Sequence, residues 1–276
     1  MHLSGASAFS SCLKIVTYCI ENLQHPQDED ELNWLDLMDC LITTALDGQL
    51  HKAPIETNPQ RILDLGCGTG RWCIDMGDLY PSAEVIGIDL SPCQPIMVPP
   101  NVCFELDDVE DDWTFSFQFD YIHARYMIGT IYDWSKFVYQ CHESGGWVEF
   151  QDITHYRSTS NIRKPLRRYS LKWLDGCHMI SESDSAILNP GSFLMNRMHE
   201  AGFVNIRIER KLLPLGSLTE DFSLTSDGHP GHGAPLEADR KHFANSLSRC
   251  GFESDDFQNL DANTPIEFHL VYGQKR

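Results

Sequence analysis

The stretch from Arg61 to Asp89 constrains the fold of this chain more than any other. Its first five residues, RILDL, form a short apolar run that predicts a buried strand, and glycines follow at positions 66, 68 and 70. Arg71 to Leu79 predicts a helix, and Glu84 to Leu90 predicts a second buried strand that carries Asp89 near its end. Glycine adopts positive φ and lets the backbone approach a ligand closely. This order of elements indicates a nucleotide-type binding unit in an α/β fold.

The spacing inside this unit distinguishes two kinds of cofactor. A dinucleotide fingerprint has its third glycine three residues after the second, but Arg71 stands there and the glycine comes one residue earlier, at Gly70. Asp64 places a carboxylate at the tip of the first strand, where it can face a cation or an ammonium group. S-adenosylmethionine has a sulfonium, an ammonium and a ribose but no phosphate, and Asp89 can accept both ribose hydroxyls. The alternative is a glycine turn that binds no ligand.

Acidic residues follow the next predicted strand. Val102, Phe104 and Leu106 alternate as a third strand, and Asp107 and Asp108 stand at its carboxyl end, where open α/β sheets bind ligands. One of these two carboxylates can accept a hydrogen bond from the exocyclic amine of an adenine. The alternative is a solvent-facing acidic run, because acidic residues continue at positions 110 to 112.

A histidine lies near the end of the fourth predicted strand. This strand is expected over Phe117 to His123, and Arg125 and Tyr126 follow directly. Because this end of a doubly wound sheet faces the gap between cofactor and substrate, His123 is a candidate general base, with an unperturbed pKa near neutrality. It is equally well interpreted as a packed histidine that shapes the pocket.

The remaining chain predicts a helix in front of the binding unit and a hairpin behind it. Residues 28–47 carry apolar side chains three and four apart, which indicates a helix that either caps the sheet or forms a lid over the cofactor. We therefore divide the chain into an N-terminal helical extension or lid (1–50) and an α/β domain (51–276) with an irregular insert (215–264). Two late segments, Phe203–Lys211 and Ile266–Tyr272, are expected to pair antiparallel at one sheet edge.

Helices and turns are expected between these strands. Trp134–His142 predicts a helix, and Gly145-Gly146 is expected to turn into a fifth strand, WVEFQDI. Ile162–Cys177 predicts a helix with a basic face. Asn189 and Pro190 suit the first two positions of a helix that runs to Ala201.

Charge and cysteine spacing exclude several classes of function. The net charge of −19 argues against direct binding to nucleic acid or to an anionic membrane. No apolar run is long enough to span a bilayer and no basic leader is present, so we expect a cytoplasmic protein. The ten cysteines include no CxxC pair and the histidines lack metal-ligand spacing, so we expect reduced cysteines and no metal site.

Seven blocks in the right order carry a resemblance to a known family. They are DGQLHKAPI, the long block from NPQRILDLGCGTG to GIDLSPCQP, VPPNVCFELDDVEDDW, FDYIHARYM, GGWVEFQDI, AGFVNIRIERKLLPLG and VYGQKR. Together they resemble the fungal LaeA-like class I methyltransferases, which include a velvet-complex regulator of secondary metabolism and enzymes of natural-product gene clusters. HESGGW departs from the family's usual, longer connection of the LKPGGW type, and the match is weak over residues 217–262.

This resemblance implies a Rossmann-like fold with a seven-stranded, mostly parallel sheet and an antiparallel C-terminal hairpin. It implies S-adenosylmethionine as cofactor and methyl transfer to a small-molecule intermediate of fungal secondary metabolism. The alternatives are a regulator that acts through protein partners, with a possible nuclear location, or an inactive homologue. The implied cofactor-site residues are Asp64, Gly66, Cys67, Gly68 and Gly70 in the first motif, Asp89 and Leu90 in the second, and Asp107 and Asp108 by the adenine, with His123 by the methionine or the substrate.

Overall fold

A computed structural model describes residues 29–128, 130–154, 189–213 and 266–276. The helices in these ranges are α1 (Glu29–Ala45), α2 (Arg71–Leu79), α3 (Trp134–Ser144) and α4 (Pro190–Ala201). The strands are β1 (Arg61–Leu65), β2 (Glu84–Asp89), β3 (Val102–Leu106), β4 (Phe119–Arg125), β5 (Gly145–Ile153), β6 (Val204–Leu213) and β7 (Ile266–Gln274). None of the helices in the described ranges is long and apolar enough to cross a membrane.

All seven strands form one sheet in the order β3-β2-β1-β4-β5-β7-β6. The first five strands pair in parallel, and β7 lies antiparallel between β5 and β6. The expected mostly parallel sheet with an antiparallel C-terminal hairpin is therefore confirmed. Because the parallel strands point the same way, their carboxyl ends share one edge, and the strand order reverses at β1 and β4. This edge is where open α/β sheets bind ligands.

Apolar side chains cover both faces of the sheet. One buried cluster includes Leu63 and Leu65 of β1 and Phe137 of α3, whereas the other includes Ile62 of β1 and Trp72 and Met76 of α2. Alternate residues of β1 thus point to opposite faces, as strand geometry requires. The two-sided burial explains why β1 is apolar apart from Arg61 at its start and Asp64.

Several predicted boundaries are confirmed. Helix α4 begins after Asn189, whose side chain accepts a hydrogen bond from the Ser192 N–H at 3.3 Å, and it ends at Gly202 with φ +98°. The proline-rich stretch at 91–100 contains neither helix nor strand. The predicted helix at 162–177 and the insert at 215–264 lie outside the described residues.

Two predictions about β4 and β5 are wrong. Strand β4 begins and ends two residues later than expected, because its pairing with β5 continues to Arg125 opposite Gln151. Gly145 and Gly146 form no turn but begin β5 directly after α3. A Cβ at Gly145 would lie 2.7 Å from the Ile122 side chain, and one at Gly146 would lie 3.0 Å from the Asp120 carbonyl oxygen. These glycines therefore allow close contact with β4.

Candidate active site

The loop after β1 contains three glycines, and all three have positive φ. Gly66, Gly68 and Gly70 have φ values of +70°, +53° and +77°. The N–H groups of Gly66 and Cys67 donate to the Ile88 carbonyl oxygen of β2, at 2.9 and 3.0 Å. The loop is thus fastened to the neighbouring strand before α2 begins.

The carboxylate of Asp89 holds the same loop from the end of β2. Its Oδ2 accepts the Gly68 N–H at 2.7 Å, and its Oδ1 accepts the Ser91 N–H at 2.8 Å. Burial raises the pKa of this carboxyl, and the two backbone hydrogen bonds partly offset the increase. Each carboxylate oxygen can accept a second hydrogen bond, so the group can bind hydroxyl donors while it supports the loop.

Asp64 and His123 form a buried pair behind the loop. The two residues are register partners on β1 and β4, and the distance from Asp64 Oδ1 to His123 Nδ1 is 2.8 Å. Asp64 Oδ2 also accepts a hydrogen bond from the Cys73 thiol at 3.2 Å. The imidazole lies parallel to Trp72 with 4.0 Å between ring centroids, and His123 is only 1% exposed. This geometry matches the packed interpretation of His123, while its predicted role as a base stays a prediction.

Helix α1 crosses the glycine loop. Asp36 Oδ1 accepts the Thr69 hydroxyl at 2.7 Å, and a Cβ at Gly68 would lie 3.6 Å from the Leu35 side chain. One turn further along, Asp39 binds Arg125 of β4 and lies 3.5 Å from the Nε of Arg71. The helix thus contacts the loop, α2 and the end of β4, and its role as a cap or as a lid stays a prediction.

A buried carboxylate on β5 anchors the segment that follows α1. Glu149 is fully buried, and its Oε2 accepts the N–H groups of Lys52 at 2.9 Å and Ala53 at 2.7 Å. Its Oε1 accepts the Gln151 amide at 2.6 Å, and Gln151 in turn accepts the Arg125 Nε–H at 2.9 Å. A polar chain therefore connects the linker, β5, β4 and α1.

The structure brings most of the proposed cofactor residues to one edge. The glycine loop, Asp89 and the half-buried Leu90 adjoin there, and the Asp107 N–H donates to the Asp89 carbonyl oxygen at 3.2 Å. Asp107 is exposed, whereas Asp108 is half-buried and accepts the Glu110 N–H at 2.9 Å. Cys67, between the first two glycines of the loop, is buried. Their assignment as cofactor-binding residues stays a prediction, as does the division into a lid and a domain.

Sequence reasoning missed the polar residues that fasten α1 and the linker. Glu149 and Gln151 alternate with apolar side chains inside a buried strand, and polar residues at such positions signal a buried network. Asp36 and Asp39 lie on a helix whose apolar pattern predicts a buried face but not the contacts of its polar residues. Among the described residues, no group of histidine, cysteine and acidic side chains is arranged to hold a metal ion.

Comparisons with known proteins agree with this geometry. A family model described as a methyltransferase domain matches residues 39–208, and the chain belongs to that family. It is 36% identical to the methyltransferase pytC of Aspergillus terreus over 74% of this chain and 64% of that protein. It is 41% identical to the secondary metabolism regulator LAE1 of Cochliobolus heterostrophus over 54% of this chain and 52% of that protein. The chain thus matches less than two thirds of either relative.

A solved structure has the same fold. The plantazolicin methyltransferase BpumL, in complex with SAH, superposes with a TM-score of 0.51 at 12% identity, over 96% of this chain and 98% of that chain. The fold is therefore that of the class I methyltransferases. The relatives carry names from both classes of function expected from the sequence, an enzyme and a regulator.

Proposed function

We propose that the chain is an S-adenosylmethionine-dependent methyltransferase acting on a small-molecule intermediate of fungal secondary metabolism. The observation that carries this proposal is the hydrogen bond from the Gly68 N–H to Asp89 Oδ2, at 2.7 Å. It joins a positive-φ glycine loop to a carboxylate suited to a ribose, at the reversal point of the sheet. Membership of the methyltransferase-domain family and the likeness to pytC support the same activity.

We expect the cofactor to extend along this edge of the sheet, from the end of β3 to the end of β1. Asp108 after β3 would lie by the adenine, Asp89 after β2 would hold the ribose hydroxyls, and the loop after β1 would line the methionine. The glycine loop brings backbone rather than side chains to this edge, since a Cβ at Gly66 would lie 2.7 Å from the Met127 sulfur. Each carboxylate oxygen of Asp89 accepts one hydrogen bond from the backbone and can accept another from the ribose.

Bound S-adenosylmethionine would supply an electrophilic methyl group on a positively charged sulfur. The chain's own contribution is alignment and the exclusion of water. Asp89 and the loop would hold the nucleoside end. Helix α1 contacts the loop through Asp36 and the end of β4 through Asp39. His123 fixes the orientation of Asp64 from inside the sheet. Proton removal from the acceptor is not required of a residue this deeply buried.

Isothermal titration with S-adenosylmethionine tests the cofactor assignment. We expect binding by the wild type and a loss of at least about tenfold in Asp89→Ala, since two charge-assisted hydrogen bonds to the ribose disappear. Glu84→Ala is a matched control, because Glu84 is an exposed carboxylate at the opposite end of the same strand. Absence of binding in the wild type, or equal binding in both variants, would refute the assignment.

A regulatory role is the second candidate, supported by 41% identity to LAE1. With a net charge of −19, such a protein would act through protein partners rather than on DNA. Six free cysteines among the described residues favour a reducing compartment for either role. Deletion in the source fungus distinguishes the two: loss of one methylated metabolite supports the enzyme, whereas altered transcription with co-purifying transcription factors supports the regulator. Turnover of a pathway intermediate by the purified protein would exclude an inactive homologue.

A further inference from the structure

Three free cysteines lie around the glycine loop, and the proposed methyl transfer gives their thiols no role. Cys67 lies inside the loop, Cys73 in the first turn of α2, and Cys93 in the segment that follows β2. The thiols of Cys67 and Cys73 are hydrogen-bonded to each other, and the Cys73 thiol donates to Asp64 Oδ2 at 3.2 Å. Sulfur atoms that can be oxidised therefore adjoin the part of the chain that is expected to line the cofactor.

The sulfurs of Cys67 and Cys93 contact the same side-chain amide. The Nε2 atom of Gln94 lies 3.8 Å from the Cys67 sulfur and 3.9 Å from the Cys93 sulfur. The Cys93 thiol also donates to the carbonyl oxygen of Gly68, the residue next to Cys67, at 3.2 Å. The two sulfurs are therefore less than about 8 Å apart, a gap that side-chain rotation and a shift of the loop would close.

The three thiols differ in their access to solvent. Cys73 is fully buried and Cys67 is 9% exposed, whereas Cys93 is only half-buried. A small reagent can therefore reach Cys93 first. Burial raises the pKa of the Cys93 thiol, and the charges of Asp89 and of Asp36 on α1 act in the same direction. Because the thiolate is the attacking form, reaction at Cys93 should accelerate as the pH rises.

We propose that Cys67 and Cys93 are an oxidation site, at which a small-molecule disulfide such as oxidised glutathione generates a Cys67–Cys93 bond that weakens cofactor binding. In the first step the Cys93 thiolate attacks the reagent, forms a mixed disulfide and releases one glutathione thiolate. In the second step the Cys67 thiolate attacks the Cys93 sulfur, closes the protein disulfide and releases the second glutathione thiolate. The two protein thiols are oxidised and the reagent is reduced; the two protons pass through water to the glutathione thiolates.

The new bond would disturb the contacts that fasten the loop to β2. The Gly68 carbonyl loses its thiol donor when Cys93 is oxidised, and the N–H of the same glycine is held by Asp89. An S–S bond of about 2.05 Å also draws Cys67 towards the segment after β2. We therefore expect the affinity for S-adenosylmethionine to fall at least about tenfold. This consequence rests on the proposed function, whereas the formation of the bond does not.

The purified protein is treated with oxidised glutathione, its remaining thiols are alkylated, and its disulfides are mapped by mass spectrometry. Cleavage after Arg71 by trypsin and after Met76 and Met97 by cyanogen bromide places four cysteines in separate peptides. These cysteines are Cys67, Cys73, Cys93 and Cys103. We expect the peptides of Cys67 and Cys93 to be linked, and the link to form faster at pH 8.5 than at pH 7. Isothermal titration should show the loss of affinity and its recovery after reduction with dithiothreitol.

Two serine variants are matched controls. Cys93→Ser keeps a hydroxyl donor for the Gly68 carbonyl, so it should bind S-adenosylmethionine as the reduced wild type does and keep that affinity after treatment. Cys103→Ser removes an exposed cysteine of β3 and should lose affinity on treatment as the wild type does.

The bond and its consequence are judged by separate measurements. The proposal is overturned if no peptide links Cys67 to Cys93, if the link forms while the affinity stays unchanged, or if Cys93→Ser loses affinity as the wild type does. If the reduced wild type does not bind S-adenosylmethionine, the proposed function fails, and the peptide map alone decides whether the oxidation site exists.

Discussion

Gly70 provides a quantitative test of the loop, because the chain contains a matched glycine elsewhere. Gly70 and Gly48 share φ +77°, but their surroundings differ. A Cβ at Gly48 would meet nothing within 4 Å, whereas one at Gly70 would lie 2.7 Å from Cε1 of the Phe104 ring and closer still to Cζ. Substitution by alanine at Gly48 therefore measures the backbone cost alone, and at Gly70 it adds a collision with a ring.

The expected magnitudes follow from these two costs. Left-handed backbone costs an L-residue about 1–2 kcal/mol, which is the whole effect expected of Gly48→Ala. Overpacking against a rigid neighbour adds about 1–3 kcal/mol, so Gly70→Ala should destabilise by roughly 2–5 kcal/mol. In a chain of this size each kcal/mol lowers Tm by about 2–4 °C. Urea and thermal unfolding of both variants measure the difference.

A second variant assigns the extra cost to Phe104. Phe104→Leu shortens the side chain that the new Cβ would strike, so Gly70→Ala should cost less in that background than in the wild type. The reasoning is refuted if Gly70→Ala and Gly48→Ala destabilise equally, or if Phe104→Leu leaves the cost of Gly70→Ala unchanged.

Three further predictions concern buried polar groups. Glu149→Gln should lower the free energy of unfolding in urea by about 2–4 kcal/mol, since a buried carboxylate that holds two backbone N–H groups loses its charge. Asp120→Asn is the control and should cost under about 1 kcal/mol, because the N–H groups of residues 60 and 61 that its carboxylate holds are exposed. Equal costs would contradict the burial argument. Burial raises the pKa of Asp89, so its carboxyl takes up a proton at a higher pH than an ordinary aspartate, and S-adenosylmethionine affinity should fall as the pH drops through that raised value; titrations from pH 7 to pH 4 should show this in the wild type and not in Asp89→Asn. His123→Asn should lower Tm and reduce methyl transfer only in step with cofactor binding, whereas a loss of kcat with unchanged binding and Tm would identify a catalytic base.

The sequence predicts the parallel half of the sheet because its central strands are buried on both faces and therefore consist mostly of consecutive apolar residues. The glycine loop can be recognised in the sequence because few other residues adopt the positive φ of Gly66, Gly68 and Gly70. Asp89 can be recognised because a carboxylate at the end of a buried strand is costly without a partner. The same reasoning failed at Gly145, where glycine provides room against Ile122 of β4 rather than a turn. Close approach between strands depends on a partner far along the chain, which local pattern does not identify.

The site differs from the sequence expectation most at α1. The apolar stripe of residues 28–47 is equally consistent with a cap and a lid, because apolar contacts determine which face of the helix is buried but not its register against the sheet. Register is fixed instead by Asp39, which must meet Arg125 of β4 for two buried charges to be compensated. Gln151 and Glu149 continue this chain to the backbone of residues 52 and 53, so polar contacts hold both α1 and the segment that follows it. Polar contacts of this kind are satisfied in one arrangement and costly in any other, which fixes the register of α1 against β4.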